Sequence, residues 1–253
     1  MLATTITGSD DLPNLLIVHG LFGSARNWGV ISKRLSCTYR VIAVDMRNHG
    51  NSAWQPTQSY GDMAGDLAEI LTAEGGAAHV LGHSMGGKAA MVLALKHPGL
   101  VAKLVIADVA PVAYGHTQMP LIEAMRGLDL GRISTRRDAD IALADTVSDP
   151  GVRAFLLQSL DLTSPTPRWR LNLDVLADEM PLILGFPDVA GVFTGQTLVL
   201  TGQASDYVKP AHHARIHEFF PHAAFQDIPG AGHWLHAEKP REFEAALRGF
   251  LAG

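Results

Sequence analysis

His79-Val80-Leu81-Gly82-His83-Ser84-Met85-Gly86-Gly87-Lys88-Ala89-Ala90-Met91 passes from a β-rich apolar run, through closely spaced glycines, into a helical pattern. A chain that turns this sharply from strand to helix has little room for Cβ atoms, which explains Gly82 and Gly86. Ser84 then sits at the tip in a strained conformation with its hydroxyl exposed. The helix starting near Met85 points free N–H groups at any negative charge developing there. Gly-x-Ser-x-Gly alone recurs by chance; the strand before it and the helix after it make it specific. Ser84 is the candidate nucleophile, against the plainer reading of a turn serine in an inactive protein.

Working outward, further apolar runs have the same character: Leu15–Val18 ending at His19-Gly20, Tyr39–Val44 ending at Asp45, Lys103–Ala107 ending at Asp108, Thr197–Leu200 ending at Gly202, and Ala224–Ile228 ending at Pro229. Short runs that are apolar almost throughout read as strands buried on both faces of a parallel sheet. Helical patterns lie between them at 60–74, 86–97, 210–219 and 239–252, and Pro98 suits the end of the second. The alternation predicts an α/β fold with a mostly parallel, doubly wound sheet. Residues 112–190 break the rhythm. They hold helical patterns near 118–127, 136–147, 151–160 and 172–184, punctuated by prolines, with no convincing central strand. A loop that long needs structure of its own. The expected organisation is a core of residues 1–111 and 191–253 with a helical cap, 112–190, inserted.

A serine hydroxyl needs a base. Of the twelve histidines, His233 lies in Gly230-Ala231-Gly232-His233-Trp234, directly after the last strand run and after the nucleophile in chain order. His236 reads as structural. His212, His213 and His217 share one helix and lack a third ligand, so they read as a solvated face and no metal is expected. The base in turn needs an orienting acid. Asp108 and Asp206 both follow strand runs. The usual slot after the later strand falls on Ser205, with Asp206 one residue beyond, so Asp108 is favoured, Asp206 stays as the alternative, and Ser205 is expected to hydrogen-bond the acid–base pair. Two oxyanion donors are expected: the N–H of Met85, and that of Leu21 in the loop His19–Gly23, with Phe22 as fallback. His19 is expected to brace that loop. Asp45–Ser52 reads as a structural loop held by its own Arg and Asp, and Trp169 and Phe186 as core.

Composition narrows the classes. Hydrophobic residues make up 47% and charged residues 18%, which suits a globular domain, and the formal net charge of −5 gives no general attraction to nucleic acid or anionic membrane. One cysteine, Cys37, cannot form an internal disulfide. No apolar stretch reaches the ~20 residues needed to span a bilayer. Met1–Thr5 does not read as a signal peptide. A cytoplasmic location is the default expectation, with no cofactor and with the monomer-or-homodimer question open.

His19-Gly20-Leu21-Phe22-Gly23-Ser24, Asp45-Met46-Arg47-Asn48-His49-Gly50, Gly82–Lys88, Asp108-Val109-Ala110-Pro111-Val112 and Gly230–Trp234 together make the chain resemble the α/β-hydrolase superfamily over nearly its whole length, and within it the YbfF-type esterases and related eukaryotic abhydrolase-domain proteins. The resemblance implies hydrolysis of small carboxylic esters, with acyl-CoA thioesters as an alternative substrate, and an acid at Asp108 joined by a serine near Ser205 in a four-residue network. A slow or inactive ligand-binding protein of the same fold is the competing class. Relatives that carry aspartate at the elbow, the haloalkane dehalogenases and epoxide hydrolases, differ from this chain at Ser84.

Overall fold

The computed structural model describes residues 1–253. Seven strands form one sheet: β1 (Thr4–Thr7), β2 (Asn14–Val18), β3 (Arg40–Val44), β4 (Ala78–His83), β5 (Val101–Ala107), β8 (Gln196–Gly202) and β9 (Ala223–Ile228), in the order β1-β3-β2-β4-β5-β8-β9. Every neighbouring pair is parallel except β1 with β3. The apolar runs bury both faces as their composition requires: Leu16, Val18, Val80, Leu104 and Ile106 pack into one core, and Leu15, Ile17, Leu81, Val105 and Leu200 into the other. The sheet is therefore doubly wound, with helices Tyr60–Ala73 and Met85–Lys96 on one side and Gly29–Leu35 and Pro240–Ala252 on the other.

β1 and the helix Gly29–Leu35 went unread in the sequence. β1, Thr-Thr-Ile-Thr, is a largely exposed edge strand and has no apolar run to announce it. Helix Gly29–Leu35 spans 7 residues, too short to establish a periodicity.

The regular elements between β5 and β8 are mainly helices: Met119–Arg126, Arg136–Leu143, Pro150–Leu156, Leu173–Asp178 and Met180–Leu184. Two expectations need correction. The pattern at 172–184 is two helices, because Pro181 lacks the N–H needed to continue the first and instead starts the second. A two-residue ladder, β6 (Leu160–Asp161) against β7 (Arg168–Trp169), lies apart from the main sheet. The Trp169 indole N–H donates to the Met125 carbonyl, joining this ladder to the first of these helices. No helix of the protein is long and apolar enough to cross a membrane.

Candidate active site

Parallel strands present their C-terminal ends at one edge of the sheet, and the loops that follow β2, β4, β5, β8 and β9 converge there. Ser84 follows β4 with φ 54° and ψ −121°, the sharp strand-to-helix turn anticipated from its glycines. A Cβ on Gly82 would overlap the Gly86 carbonyl, and one on Gly86 would overlap the carbonyls of His19 and Val18. The Ser84 N–H is held by the Ala107 carbonyl at 3.0 Å, so the tip is anchored to β5.

Ser84 Oγ lies 3.0 Å from His233 Nε2, and His233 Nδ1 lies 2.7 Å from Asp108 Oδ2. The geometry fits the tautomer with its proton on Nδ1, donated to the carboxylate, leaving Nε2 free to accept from serine. Asp108 is fully buried and also at positive φ, 52°. Its Oδ1 accepts from Gly202 N at 3.2 Å, and its Oδ2 accepts from Ser205 Oγ at 2.5 Å. Ser205 therefore reaches the acid–base pair. Asp206 does not: its side chain is 94% exposed and pairs with Lys209 Nζ at 3.4 Å.

The loop after β2 is fixed from several directions. His19 is buried, accepts the Met46 N–H at Nε2 over 2.9 Å and donates from Nδ1 to the Gly20 carbonyl at 2.7 Å, the brace anticipated from sequence. Phe22, at φ 63°, donates its N–H to His49 Nε2 at 3.2 Å, while its carbonyl accepts from Ser159 Oγ at 2.9 Å. Phe22 N–H, the fallback donor, is thus occupied, and the Leu21 N–H has no acceptor in the protein. Met85 opens its helix, so its N–H has no intrahelical acceptor.

Burial keeps the surrounding imidazoles neutral: His19 is pushed down to about 4, His49 and His236 to about 3, and His83 well below its ordinary value. His83 donates from Nε2 to the His233 carbonyl at 2.8 Å, and His236 stacks on Trp28 at 4.1 Å. Tyr207 stacks on the His233 ring at 3.8 Å. Asp45 accepts from the N–H groups of Ala25 and Asn51, and Arg47 pairs with Asp66 at 2.6 Å, as expected of a structural loop. His213 departs from the solvated face: it stacks on Phe225 at 3.9 Å. No group of three or more metal-ligating side chains forms.

His83, Tyr207 and Ser159 beside the site, and Lys88 beneath it, were not singled out from the sequence. Their partners are 96 or more residues away for His83, Ser159 and the carbonyls of Leu184 and Gly185 that meet Lys88. Tyr207 follows Ser205 and Asp206 closely, and an aromatic next to the acid slot was the one signal available. A cleft of about 840 Å³, including its open mouth, leads to Ser84 and His233, and its wall includes Leu121, Val152, Phe155, Ile183, Leu184 and Trp234.

The chain matches the Alpha/beta hydrolase family over residues 15–246. It is 41% identical to the mouse sn-1-specific diacylglycerol lipase ABHD11, covering 98% of this chain and 83% of that protein. It is 37% identical to Esterase YbfF of Escherichia coli, covering 94% and 92%. A marine microorganism esterase of known structure superposes with a TM-score of 0.94 at 34% identity, covering 98% of both chains.

Proposed function

The chain belongs to the α/β-hydrolase family, and from that premise we propose that it is a serine carboxylesterase that works through an acyl-enzyme on Ser84. Carboxylic-ester hydrolysis is the activity its esterase and lipase relatives share. The observation that carries the serine mechanism is the unbroken relay of hydrogen bonds from Ser84 Oγ through His233 to Asp108, at 3.0 and 2.7 Å.

In this reading Ser84 Oγ attacks the acyl carbon as His233 Nε2 takes its proton. The carbonyl oxygen becomes an oxyanion and is met by the N–H groups of Leu21 and Met85, both without a competing acceptor. Asp108 steadies the imidazolium and is itself steadied by Ser205 and Gly202. His233 then returns the proton to the leaving alcohol, and water repeats the sequence on the acyl-enzyme. Residues 112–190 act as a cap, and the acyl chain lies against the apolar wall that includes Ile183 and Leu184.

The test is stopped-flow hydrolysis of a p-nitrophenyl ester. Wild type should release a burst of p-nitrophenol stoichiometric with enzyme, and Ser84→Ala should lose on the order of 10^4–10^6 in turnover. A Ser84→Ala protein as fast as wild type would sink the mechanism.

A further inference from the structure

Lys88 lies one helical turn after Ser84, and its backbone N–H bonds to the Ser84 carbonyl at 3.1 Å. Its side chain is 1% exposed, yet it has no carboxylate partner. Instead the ammonium donates to three backbone carbonyls: Val112 at 2.8 Å, Leu184 at 2.9 Å and Gly185 at 2.5 Å. Val112 is where the chain leaves the core for the helical insertion, and Leu184-Gly185 is where the last helix of the insertion ends. One side chain from the nucleophile's helix thus holds both stems. Its three N–H donors match three acceptors, so none is left unsatisfied. The aromatic faces of Tyr114 and Tyr60 complete the cage, at 4.6 and 5.8 Å. Both tyrosines fasten the same stems: Tyr114 N bonds to the Leu184 carbonyl at 3.1 Å, and Tyr60 OH donates to the Ile183 carbonyl at 2.6 Å.

We propose that Lys88 is a positioning residue that clamps the two stems of the insertion to the nucleophile's helix and thereby fixes the Ile183–Leu184 wall of the acyl pocket relative to Ser84. An apolar side chain of similar length would leave the buried carbonyls of Val112 and Gly185 without a donor and that of Leu184 with the Tyr114 N–H alone, and the stems would separate to find water. A small acyl group needs only the serine, the base and the oxyanion donors. A long acyl chain also needs the wall. Lys88 therefore sets acyl selectivity while standing apart from the chemical step. The acyl-selectivity part rests on the acyl-enzyme reading; the clamp itself does not.

Two measurements on the full chain test it. Lys88→Met should keep kcat on p-nitrophenyl acetate within about 3-fold, while kcat/KM for an octanoate ester falls at least about 10-fold through KM. Amide hydrogen exchange should speed up about 10-fold or more in 110–116 and 182–186 and stay unchanged in the helix Met85–Lys96. Equal losses on both esters, or exchange that rises everywhere or nowhere, would overturn the clamp. Full activity in Ser84→Ala would instead strike the acyl-enzyme reading and leave the exchange result standing. Should the variant not fold, wild type supplies the second measurement. Burial pushes the Lys88 ammonium down to about 7. Of the ionisable groups around it, burial pushes the Tyr60 and Tyr114 phenols up and the His116 imidazole down, so all three stay neutral above pH 7. A neutral amine keeps two donors for three carbonyls. Stem exchange, relative to the helix that carries Ser84, should therefore quicken between pH 6 and pH 9, and a ratio that falls over that range would overturn the clamp.

Discussion

Asp108 and Asp206 carry the same carboxylate in very different settings, and burial and distance separate them. Asp108 is wholly buried, with its oxygens engaged by His233, Ser205 and Gly202, whereas Asp206 is 94% exposed on the far side of a turn. An amide at position 108 would present an NH2 group to His233 and favour the tautomer whose Nε2 carries the proton, so the imidazole could not accept from Ser84. Asp108→Asn is expected to lower turnover on the order of 10^3–10^4-fold, while Asp206→Asn should stay within about 3-fold, because an exposed pair contributes little. Ser205→Ala removes one bond to the acid and should cost about 10-fold or less, in line with a charge-assisted hydrogen bond of about 1.5 kcal/mol. Steady-state kinetics on one ester checks all three, and equal losses for the two aspartate variants would refute the assignment. At this scale the sequence was legible where function depends on chain order. Ser84, His233 and the vacancy at the usual acid slot all follow from position relative to strand ends. Contacts such as His49 to the Phe22 amide or Ser159 to the Phe22 carbonyl depend on how distant loops pack, and no local pattern encodes them.

The strand-to-helix turn around Ser84 joins two functions that would otherwise be independent. Gly86 lies so close to the end of β2 that a methyl group there would overlap the carbonyls of Val18 and His19, the residues that lead into the loop carrying Leu21. Overpacking against backbone costs about 1–3 kcal/mol, because main chain rather than a flexible side chain must move. Gly86→Ala should therefore do more than lower stability by that amount. It should displace the Leu21 and Met85 N–H groups, the proposed oxyanion donors, relative to each other, and the loss of one such donor is worth on the order of 10^2–10^3 in kcat. Gly99 makes the control, because a Cβ there meets open space. Chemical denaturation and ester kinetics on Gly86→Ala and Gly99→Ala would check this, and unchanged kcat in Gly86→Ala would show that the turn and the loop are not coupled. Element boundaries were read well where burial imposes a continuous apolar run, as in β2 to β5. They were read poorly where an element is short, exposed or stopped by a residue that also starts its successor, as at β1, Gly29–Leu35 and Pro181.

Across the whole molecule, folding buries four neutral imidazoles, His19, His49, His83 and His236, around the sheet edge that carries Ser84. Burial holds each of them neutral, and the contacts of three fit that state. His19 and His49 must accept backbone N–H groups at Nε2, and His236 lies flat on Trp28 with its Nδ1 unpartnered. In the unfolded chain each takes up a proton near pH 6.5. In the folded protein that happens only near 4 for His19 and near 3 for His49 and His236. Below pH 6.5 the unfolded state therefore binds more protons, so stability is fully present above that pH and declines as pH falls toward 4. For His19 alone the difference between 6.5 and about 4 corresponds to a loss on the order of 3 kcal/mol at pH 4. Carboxylates contribute little in the upper part of this window, since Asp161, held down to about 2 by its Thr163 hydrogen bonds, loses its share only at lower pH. Lys88, pushed down to about 7, is mostly protonated throughout it. The urea midpoint should thus fall steadily from pH 6.5 to 4.5, in advance of ordinary acid unfolding. His236→Phe keeps an aromatic ring on Trp28 and removes one titrating group, so its profile should be shallower than wild type over the same range. A flat wild-type profile, or a His236→Phe profile as steep as wild type, would mean that these imidazoles are not held neutral by the fold.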